Sequence, residues 1–537
     1  MKKSIYLLLA SVLTASMLLA ACAAPKPAAT PAPSPTVTTT PTVVPKASPT
    51  PTAKPAETPQ YGGVLKFGYS SGPSSIIPWR NTIGATGSVL RASYDTLLRV
   101  DEKGELAPWL ATDWKFSSDF KSLTLTLRKG VKFHDGTDFN AAAVKFSLEL
   151  RKAAKLGDYE SVESIDVVDD NTVRLNLSQF QNTLLISLWH IAGMTTSSTA
   201  YQKLGAAAAE LQPVGTGPFK FVSWQPSVLV KYERFDGYWQ KGKPYLDGWN
   251  VVPFADGLTQ SFAIEKGEIH LGISVTPERA AEMVKAGFRA LDTGLETVNV
   301  LFPDTANTSS PFANKKVREA MEYAIDREAI VKTLGRGLAE PLAQLVNAGG
   351  YAHVPGLGRT YDPAKAKQLL AEAGYSNGFS TTLWMNTSVS DDDVAIATYL
   401  KAVGIDAKLQ AVPLVALNQL IQGGWQNGLI KRALRLQPDW LAYMYPMLST
   451  TSIQNKSMLR PPGLQELLDQ ALAARDTVAK KTASQQVIRK IFDEAMVIPL
   501  QVSRRSVIYD RTVRNLEWFD PWGATKVWSP ADTWLGK

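Results

Sequence analysis

The side chain with the most definite chemistry in this sequence is the thiol of Cys22, the single cysteine among 537 residues. It ends an apolar run that follows Lys2 and Lys3 and closes with Leu-Ala-Ala at positions 19–21. A charged start, a short apolar core and small residues before a cut site are typical of a secretory signal peptide. The core is too short for a resident membrane-spanning helix. We therefore predict that residues 1–21 form a signal peptide and that the chain is exported.

The thiol at the cut site needs a role of its own, because an exported chain with one cysteine cannot form an internal disulfide. Leu-Ala-Ala-Cys resembles the bacterial lipobox, in which the cysteine takes a diacylglycerol and becomes the new N-terminus. We predict that Cys22 is lipidated and anchors the protein outside the cytoplasm, in the periplasm or on the outer face of the cytoplasmic membrane. The alternative is an ordinary signal peptide with an incidental cysteine.

Residues for metal or catalytic chemistry are sparse. The four histidines, at positions 134, 190, 270 and 353, have no second His or Cys at metal-ligand spacing. His134 precedes Asp135-Gly136, which is typical of a turn, and the acidic run at 391–393 suits a helix start. We predict no metal, no cofactor and no catalytic residue, and therefore a protein that is not an enzyme.

One segment comes close to a phosphate-binding loop. Residues 237–244 fit the first seven positions of that motif, but the eighth is Pro244, where a Ser or Thr hydroxyl must reach magnesium. Tyr238 and Trp239 are bulky where the backbone must approach the phosphates. We exclude a nucleotide site.

The basic charge is concentrated near the N-terminus. Residues 1–60 hold +4 of the formal net charge of +8, which leaves +4 for the 477 residues from Tyr61 onward. The body therefore lacks the concentrated basic face that nucleic-acid binding requires. We expect no nucleic-acid partner, and we expect a monomer.

Composition divides the chain into a tether and a body. Residues 23–60 hold 11 of the 33 prolines and nine threonines, with few large apolar side chains. Such a stretch cannot offset its ordering entropy, and proline biases it toward an extended spacer. We predict that residues 22–60 are the lipidated cysteine followed by a disordered tether. The body is too long for one ordinary core and predicts two or three domains.

Hydrophobic periodicity in the body predicts alternating strands and helices, which is typical of an α/β fold. Asn140 is placed to cap a helix that begins at Ala141. Strands are expected at 63–69, 122–128 and 406–412, hairpins within 166–177 and 219–233, and helices at 141–152, 314–334, 363–373, 391–403 and, in two pieces, 464–496.

Several aromatic residues stand in loop-like, polar surroundings. Exposed aromatic rings beside polar groups are typical of concave sites for sugars, peptides or chelates, whereas most aromatic residues simply pack in a core. The six candidates are Trp79, Trp189, Trp384, Trp425, Trp440 and Tyr443.

Ordered motifs along the body resemble family 5 of the extracellular solute-binding proteins, the dipeptide-, oligopeptide- and nickel-binding components of ABC importers. No single motif is specific, but together they span nearly all of residues 61–537. The motifs occupy 94–99 (YDTLLR), 108–111 (PWLA), 127–136 (LRKGVKFHDG), 214–220 (VGTGPFK), 234–239 (RFDGYW), 242–247 (GKPYLD), 264–269 (IEKGEI), 317–327 (VREAMEYAIDR), 361–375 and 497–500 (VIPL).

The resemblance implies an α/β fold of the periplasmic-binding-protein type II-like kind, with two lobes around a cleft and a subdomain inserted in lobe I. Closure of the hinge on a ligand is then a population shift. The implied boundaries are 61–105 for the first part of lobe I, 106–210 for the inserted subdomain, 211–297 for the continuation of lobe I, 298–504 for lobe II and 505–537 for the C-terminal return to lobe I.

The resemblance also implies where the ligand binds. In peptide binders of this family, a segment like Trp-x-Ala-Asp-Tyr supplies an aspartate to the peptide amine, and alignment puts Leu436 at that position. An unpaired buried ammonium is costly, so free-amine peptides are disfavoured unless Asp439 takes the role. No histidine supports a nickel chelate, and aromatic walls suit an oligosaccharide or a capped peptide. The expected cleft residues are Tyr69, Ser70, Trp425, Arg435, Gln437, Asp439 and Trp440.

We therefore expect a lipid-anchored substrate-binding component of an ABC importer. It would capture a small solute, a peptide or an oligosaccharide-like molecule, and deliver it to the membrane permease subunits. Two alternatives stay open. One is a secreted enzyme, and the other is a surface adhesin or chaperone that has kept the binding fold.

Overall fold

The computed structural model describes residues 57–70, 73, 75–80, 87–101, 105–273, 275–386, 389–435, 439–516 and 529–536. From Thr58 onward they belong to one folded unit. The predicted signal peptide at 1–21, Cys22, nearly all of the predicted tether at 22–60, and Gln437 lie outside the described residues. No helix within the described ranges has the length and apolar character needed to span a membrane.

The described strands, in chain order, are β1 Val64–Ser70, β2 Leu98–Val100, β3 Leu106–Pro108, β4 Ala111–Phe116, β5 Ser122–Leu127, β6 Val162–Asp169, β7 Thr172–Leu177, β8 Phe219–Gln225, β9 Leu229–Arg234, β10 Gly248–Phe254, β11 Leu271–Gly272, β12 Arg289–Pro303, β13 Ala339–Pro341, β14 Phe379–Asn386, β15 Ile405–Val412, β16 Gly428–Arg435, β17 Ile498–Tyr509, β18 Val513–Arg514 and β19 Trp534–Leu535.

The described α-helices are α1 Gly87–Ser93, α2 Ala141–Ala153, α3 Leu184–Trp189, α4 Ser198–Leu204, α5 Ala206–Ala209, α6 Gly257–Glu265, α7 Pro277–Lys285, α8 Lys315–Ala324, α9 Arg327–Leu334, α10 Pro363–Glu372, α11 Asp391–Ala402, α12 Leu414–Gly423, α13 Trp440–Leu448, α14 Leu464–Ala473 and α15 Thr477–Asp493.

The largest sheet within the described residues contains eleven strands in mixed orientation. Ten follow the order β15-β14-β16-β12-β17-β11-β1-β10-β9-β8, and β13 pairs with β17. We call β8, β9, β10, β1 and β11 the β1 half, and β14, β15 and β16 the β16 half. Parallel pairs (β1 with β10, β14 with β15) and antiparallel pairs (β12 with β17) both occur. The predicted α/β class is confirmed.

Two long antiparallel strands, β12 and β17, join the two halves of the sheet. Residues 289–292 of β12 lie opposite 506–509 of β17, and residues 295–301 lie opposite 498–504. Register shifts separate these segments, between Asp292 and Leu295 and between Leu295 and Thr297. The lobe boundaries expected after residues 297 and 504 fall beside these shifts, and these boundaries stay a prediction.

A second, four-stranded antiparallel sheet has the order β4-β5-β7-β6. With α2 and α3 it forms what we call the antiparallel subdomain. The leucines of β5 are buried in its core together with Val144 and Leu148 of α2, whereas the alternate side chains of β5 face outward. Asn140 caps α2 as predicted, since its Oδ1 accepts a hydrogen bond from the Ala143 N–H at 3.0 Å.

Side chains of β12 alternate between two cores of the β16 half. Val298, Val300 and Phe302 pack with α13, α14 and α15 on one face, and Leu301 packs with α8, α10 and α11 on the other. This alternation follows from the two-residue period of a strand. Both faces of the β16 half are therefore covered by helices.

Two helices replace the single helix expected at 314–334. Helix α8 ends at Ala324, Ile325 is extended, and Asp326 caps α9 by accepting a hydrogen bond from the Ala329 N–H at 2.9 Å. The prediction of one continuous helix is wrong because an aspartate cap restarts the helix inside the apolar pattern. The other predicted strands and helices are present.

Candidate functional site

A cavity lies between the antiparallel subdomain and the β16 half. Its volume is about 290 Å³, with residues between 151 and 187 on one side and residues between 432 and 472 on the other. Small-molecule sites usually measure about 300–1,000 Å³, so the space suits a small solute. We call the two sides the subdomain wall and the β16 wall.

The subdomain wall carries an ion pair and a separate carboxylate. Arg151, near the end of α2, pairs with Asp158 at 2.6 Å, and its Nη1 donates to the Pro78 carbonyl at 2.6 Å. Burial raises the pKa of Asp158, and the charge of Arg151 opposes that rise. Glu160 lines the same wall but is exposed, and it forms no ion pair with the described residues.

The β16 wall carries the guanidinium of Arg432. Its Nη1 donates to Oδ1 of Asn455 at 2.6 Å and its Nη2 to Oε1 of Gln454 at 3.3 Å. Its Cζ lies 5.4 Å from the centroid of the Phe302 ring. Burial lowers the pKa of Arg432. In the part of the chain that the structure describes, no carboxylate lies within ion-pair distance of this guanidinium.

Helix α13 supplies the aromatic and apolar part of the β16 wall, with Tyr443, Tyr445, Pro446 and Met447. The Tyr445 hydroxyl donates to Oδ1 of Asp469 at 3.3 Å. Burial raises the pKa of Tyr445, and the negative charges of Asp469 and, more weakly, of Glu160 add to the rise. Glu160 on the subdomain wall therefore acts electrostatically on a residue of the β16 wall.

The two walls touch at one rim through Asn182. Its backbone N–H donates to the Leu472 carbonyl at 3.0 Å, and its Nδ2 donates to the carbonyls of Ala471 at 2.7 Å and Ala474 at 3.0 Å. These carbonyls lie at the C-terminal end of α14, where a helix leaves its last carbonyls without intrahelical partners. Asn182 thus joins the antiparallel subdomain to the β16 half by hydrogen bonds.

The two cleft residues expected on β1 are Tyr69 and Ser70. Tyr69 is 3% exposed, and its ring meets Phe67 edge-on with 5.5 Å between centroids. Ser70 is the last residue of β1 and lies opposite Phe254 of β10. Tyr69 is not among the described residues that line the cavity. Their assignment to the ligand site stays a prediction.

Trp425 and Trp440 are 3% and 4% exposed and pack in a core of the β16 half. The indole N–H of Trp425 donates to the Gly428 carbonyl at 3.2 Å, and that of Trp440 donates to the Leu345 carbonyl at 2.9 Å. The expectation that these rings form exposed platforms is wrong, because the core covers them and main-chain carbonyls satisfy their N–H groups. Their assignment as ligand-binding residues is not tested by this packing and stays a prediction.

Of the six aromatic candidates, Tyr443 lines the cavity. Trp79 and Trp189 are buried, and Trp384 packs against the core that holds Trp425. Polar neighbours in the sequence do not separate an exposed indole from a buried one, because a buried indole also needs a polar partner for its N–H group.

Asp439 caps α13 and is compensated by its neighbours. Its Oδ1 accepts hydrogen bonds from the Ala442 N–H and from the Tyr351 hydroxyl, each at 3.0 Å, and its Oδ2 pairs with Lys480. The side chain is 6% exposed. A ligand ammonium would have to compete with Lys480 for this carboxylate, and a role for Asp439 in binding stays a prediction.

Arg435 ends β16 beside the cavity. Its backbone N–H donates to the hydroxyl of Tyr443 at 3.3 Å, and Tyr443 itself lines the cavity. Sequence reasoning missed Arg432, three residues earlier. The signal in the sequence is a basic pair, Lys431-Arg432, with apolar residues on both sides of it. The pairing of Lys431 with Asp393 at 2.6 Å shows that such a residue can also be structural.

The candidate dyad at His134 and Asp135 is a turn, as predicted. Burial lowers the pKa of His134 to about 4, and its Nε2 lies 2.9 Å from the Gly217 carbonyl, to which the neutral ring donates. Asp135 accepts hydrogen bonds from the Thr137 N–H at 3.1 Å and the Ser197 hydroxyl at 2.6 Å. Among the described residues, no group of three or more His, Cys, Asp or Glu side chains is placed to hold a metal ion.

A second polar cluster surrounds Asp95. Its carboxylate accepts hydrogen bonds from the indole N–H groups of Trp109 at 2.8 Å and Trp239 at 2.9 Å and from the Tyr238 hydroxyl at 3.3 Å. The adjoining cavity measures only about 20 Å³, room for a single water molecule. This cluster is therefore structural.

The family model described as bacterial extracellular solute-binding proteins, family 5 (middle), matches residues 105–455. Among curated proteins, the chain is similar to the glutathione-binding protein GsiB of Escherichia coli. The two are 31% identical over 445 residues, which cover 78% of this chain and 84% of the relative.

Two solved structures share the fold. One is the ABC transporter-associated periplasmic binding protein DppA from Helicobacter pylori in complex with the peptide STSA, with a TM-score of 0.79, 24% identity and coverage of 89% of this chain and 99% of that one. The other is a dipeptide-binding protein from Pseudoalteromonas in complex with Met-Leu, with a TM-score of 0.79, 24% identity and coverage of 88% and 100%. The expected two-lobed α/β fold of periplasmic binding proteins, with an inserted antiparallel subdomain, is confirmed.

Proposed function

The chain belongs to the bacterial extracellular solute-binding proteins of family 5, and from that membership we propose that it is the substrate-binding component of an ABC importer. Proteins of this family bind solutes outside the cytoplasm and are not enzymes. The observation that carries the proposal is the cavity of about 290 Å³ between the antiparallel subdomain and the β16 half, with charged groups on both walls. The partner of the loaded form is the permease of the importer.

The solute that we propose is a small peptide or a glutathione-like molecule. Relatives are named for glutathione, and the structural neighbours hold the peptides STSA and Met-Leu. The sequence argument for an oligosaccharide rested on exposed aromatic walls, and four of those six aromatic residues are buried. Charged side chains on opposite walls suit a peptide better than an uncharged sugar.

We propose that β12 and β17 form the hinge between lobe I, which contains the β1 half, and lobe II, which contains the β16 half. Register shifts on β12 leave the two segments of these strands without a continuous ladder. A ligand that contacts both walls favours the closed form by its differential affinity for that form. The contacts of Asn182 across the rim support the closed form in the same way.

We further propose that Cys22 carries a diacylglycerol and that residues 23–60 act as an extended tether. At about 3.1 Å per residue, a polyproline segment of this length reaches on the order of 100 Å. Tethering keeps the effective concentration of the receptor near the permease high. The protein would then meet its permease repeatedly without a new diffusive search.

The proposal is tested by thermal unfolding in the presence of a panel of short peptides, glutathione, sugars and metal chelates. A ligand present at 100 times its Kd should stabilise the folded state by roughly 2.7 kcal/mol. We expect at least one peptide-like compound to raise the transition temperature. Stabilisation by sugars alone would contradict the proposed solute class, and stabilisation by none of the compounds would contradict a solute-binding role.

A further inference from the structure

We propose that the cavity selects a zwitterionic solute whose carboxylate pairs with Arg432 on the β16 wall and whose ammonium pairs with Glu160 on the subdomain wall. The inference rests on the proposed function and deepens it, because it names the groups that the ligand must carry. It concerns two residues outside the segment in which the ligand amine was expected.

The environment of Arg432 favours the binding of an anion. A guanidinium has five N–H donors, and Arg432 uses two contacts with the neutral amide oxygens of Asn455 and Gln454. Arg432 is half-buried, and a positive charge that is partly removed from water is unfavourable without a compensating negative charge. A ligand carboxylate reaching Arg432 would supply both the missing charge and bidentate acceptors.

Other buried or half-buried arginines of the described chain have compensating groups within the protein. Arg151 pairs with Asp158 at 2.6 Å, and Arg359 pairs with Glu322 at 2.6 Å and with Glu319 at 3.1 Å. Arg460 and Arg318 are surrounded by main-chain carbonyls, including Met458 at 2.9 Å from Arg460 and Phe312 at 2.9 Å from Arg318. Arg432 lines the cavity and, unlike these four, donates to neither a carboxylate nor a main-chain carbonyl in the described chain.

Glu160 provides the complementary charge. It lines the opposite wall and forms no ion pair with the described residues, while the neighbouring Asp158 is already paired with Arg151. Its charge reaches across the cavity, since it contributes to the raised pKa of Tyr445 after burial and Asp469. At position 436, where peptide binders of this family have the aspartate that pairs with the ligand amine, this sequence has a leucine. Glu160 would supply the carboxylate instead.

The space between the charged groups is apolar. Leu156 and Ile186 line it from the subdomain, and Pro446 and Met447 line it from the β16 half. A ligand with charged ends and a short uncharged middle fits this distribution. Short peptides with a free amine and a free carboxylate have that form, and uncharged oligosaccharides do not.

The test uses the full-length protein and three probes, which are Met-Leu, reduced glutathione and the tetrapeptide STSA. For each probe that binds by calorimetry, binding of its C-terminal amide and of its N-acetylated form is measured at the same ionic strength. We expect the free zwitterion to bind at least about 30-fold more tightly than the amide, as for the loss of one partner of a desolvated charge pair. It should also bind more tightly than the acetylated form, by a smaller factor because Glu160 is exposed.

Variants assign the effect to its residues. Arg432→Gln should weaken the free peptide at least about 30-fold and remove its advantage over the amide, and Glu160→Gln should remove its advantage over the acetylated form. The matched controls are Lys456→Gln and Glu163→Gln, which change the same charges at exposed positions outside the cavity. Arg432→Lys is included because it keeps the positive charge at this position. Unfolding of each variant without ligand shows whether that variant is folded.

The outcomes separate the two proposals. If none of the three zwitterions binds, if amide and free acid bind equally, or if Arg432→Gln binds as tightly as Lys456→Gln, the zwitterion site is rejected. When another solute binds in those cases, the solute-binding function stands. If no compound of any class binds, the proposed function fails together with the site.

Discussion

The indole N–H of Trp109 donates to Oδ1 of Asp95 at 2.8 Å, a bond that joins two of the motifs on which the family resemblance rests. Trp239, from a third motif, donates to Oδ2 of the same carboxylate at 2.9 Å. An indole N–H only donates and an ionised carboxylate only accepts, so these residue types are required together. The motifs that identify the family therefore hold separate segments of the fold together around Asp95.

Replacing Asp95 with asparagine should destabilise the protein. The amide keeps one acceptor oxygen but turns an NH₂ group toward a tryptophan N–H, and a buried donor without an acceptor costs about 1–3 kcal/mol. At pH 7, where the carboxylate is ionised, we expect Asp95→Asn to lower the free energy of unfolding in urea by about that amount. Asp113→Asn, at an exposed position on β4, is the matched control and should change it by less than about 0.5 kcal/mol. Equal losses in the two variants would contradict this role.

The stability contribution of Asp95 should depend on pH. Burial raises the pKa of Asp95 to about 6 in the folded chain, whereas an exposed aspartate titrates near 3.9. The folded state therefore holds the proton more tightly, so the contribution is fully present below about pH 4 and is lost as the pH rises through 6. Two pKa units correspond to roughly 3 kcal/mol.

This dependence is isolated by subtracting the unfolding free energy of Asp95→Asn from that of the wild type at each pH between 4 and 7. Other titrating groups are common to both proteins and cancel. We expect the difference to decrease by up to about 3 kcal/mol over this range. A difference that is constant with pH would show that Asp95 does not titrate as described.

Arg318→Lys should be destabilising although it keeps the charge. The guanidinium of Arg318 donates to four main-chain carbonyls, those of Phe312, Ala313, Glu494 and Ala495, at 2.7 to 3.1 Å. A lysine has three donors on one atom and cannot reproduce this fork. Each lost hydrogen bond from a charged donor costs about 1.5–3 kcal/mol. The free energy of unfolding should therefore fall by at least about 2 kcal/mol.

The control for Arg318 is Arg174→Lys, at an arginine 47% exposed in its side chain and paired with Asp166 on the surface. Exposed pairs contribute about 0–1 kcal/mol, so this change should be close to neutral. Denaturant unfolding of both variants checks the prediction. Two similar values would mean that the buried fork does not stabilise the junction of α8 with the turn after α15.

Asn182→Ala should weaken ligand binding without contacting the ligand. The change removes both side-chain hydrogen bonds to the C-terminal end of α14, which exist only while the walls are together. A loss of about 1–2 kcal/mol from the closed form corresponds to roughly 5- to 30-fold weaker binding. Asn171→Ala, in the β6–β7 turn of the same subdomain, is the control. Unchanged affinity in Asn182→Ala would mean that the rim contacts do not favour closure.

If Cys22 is lipidated as we propose, Cys22→Ser should release the protein from the membrane and leave ligand affinity unchanged, because Cys22 and the residues that line the cavity lie in separate parts of the chain. Fractionation of cells followed by mass analysis of the N-terminal peptide measures the first effect. Calorimetry with the released protein measures the second. A variant that stays in the membrane fraction would contradict lipid anchoring at Cys22.

Local patterns predicted many elements of the fold. The alternation of leucine and threonine placed β5, and Asn140 placed the start of α2. The features that the sequence did not predict are set by tertiary structure. The restart of the helix at Asp326 depends on one cap inside an uninterrupted apolar pattern, and the shared strands β12 and β17 acquire their role from pairing with both halves of the sheet.

The candidate site was harder to predict because its residues are distant in sequence. Nothing in the sequence connects Glu160 with Arg432, and only the fold places them on opposite walls of one cavity. The expectation of exposed aromatic rings was wrong for the same reason, since the indole N–H groups of Trp425 and Trp440 donate to main-chain carbonyls inside the core. Charge and aromaticity were visible in the sequence, and burial was not.

The most direct measurement of the central claim is native mass spectrometry of the protein as purified, followed by denaturation of the same sample. The account predicts a folded species heavier than the chain by the mass of a small peptide-like solute, which is lost on denaturation and regained on adding that solute. A folded species with no added mass, which also gains none from peptides, glutathione or sugars, would contradict it.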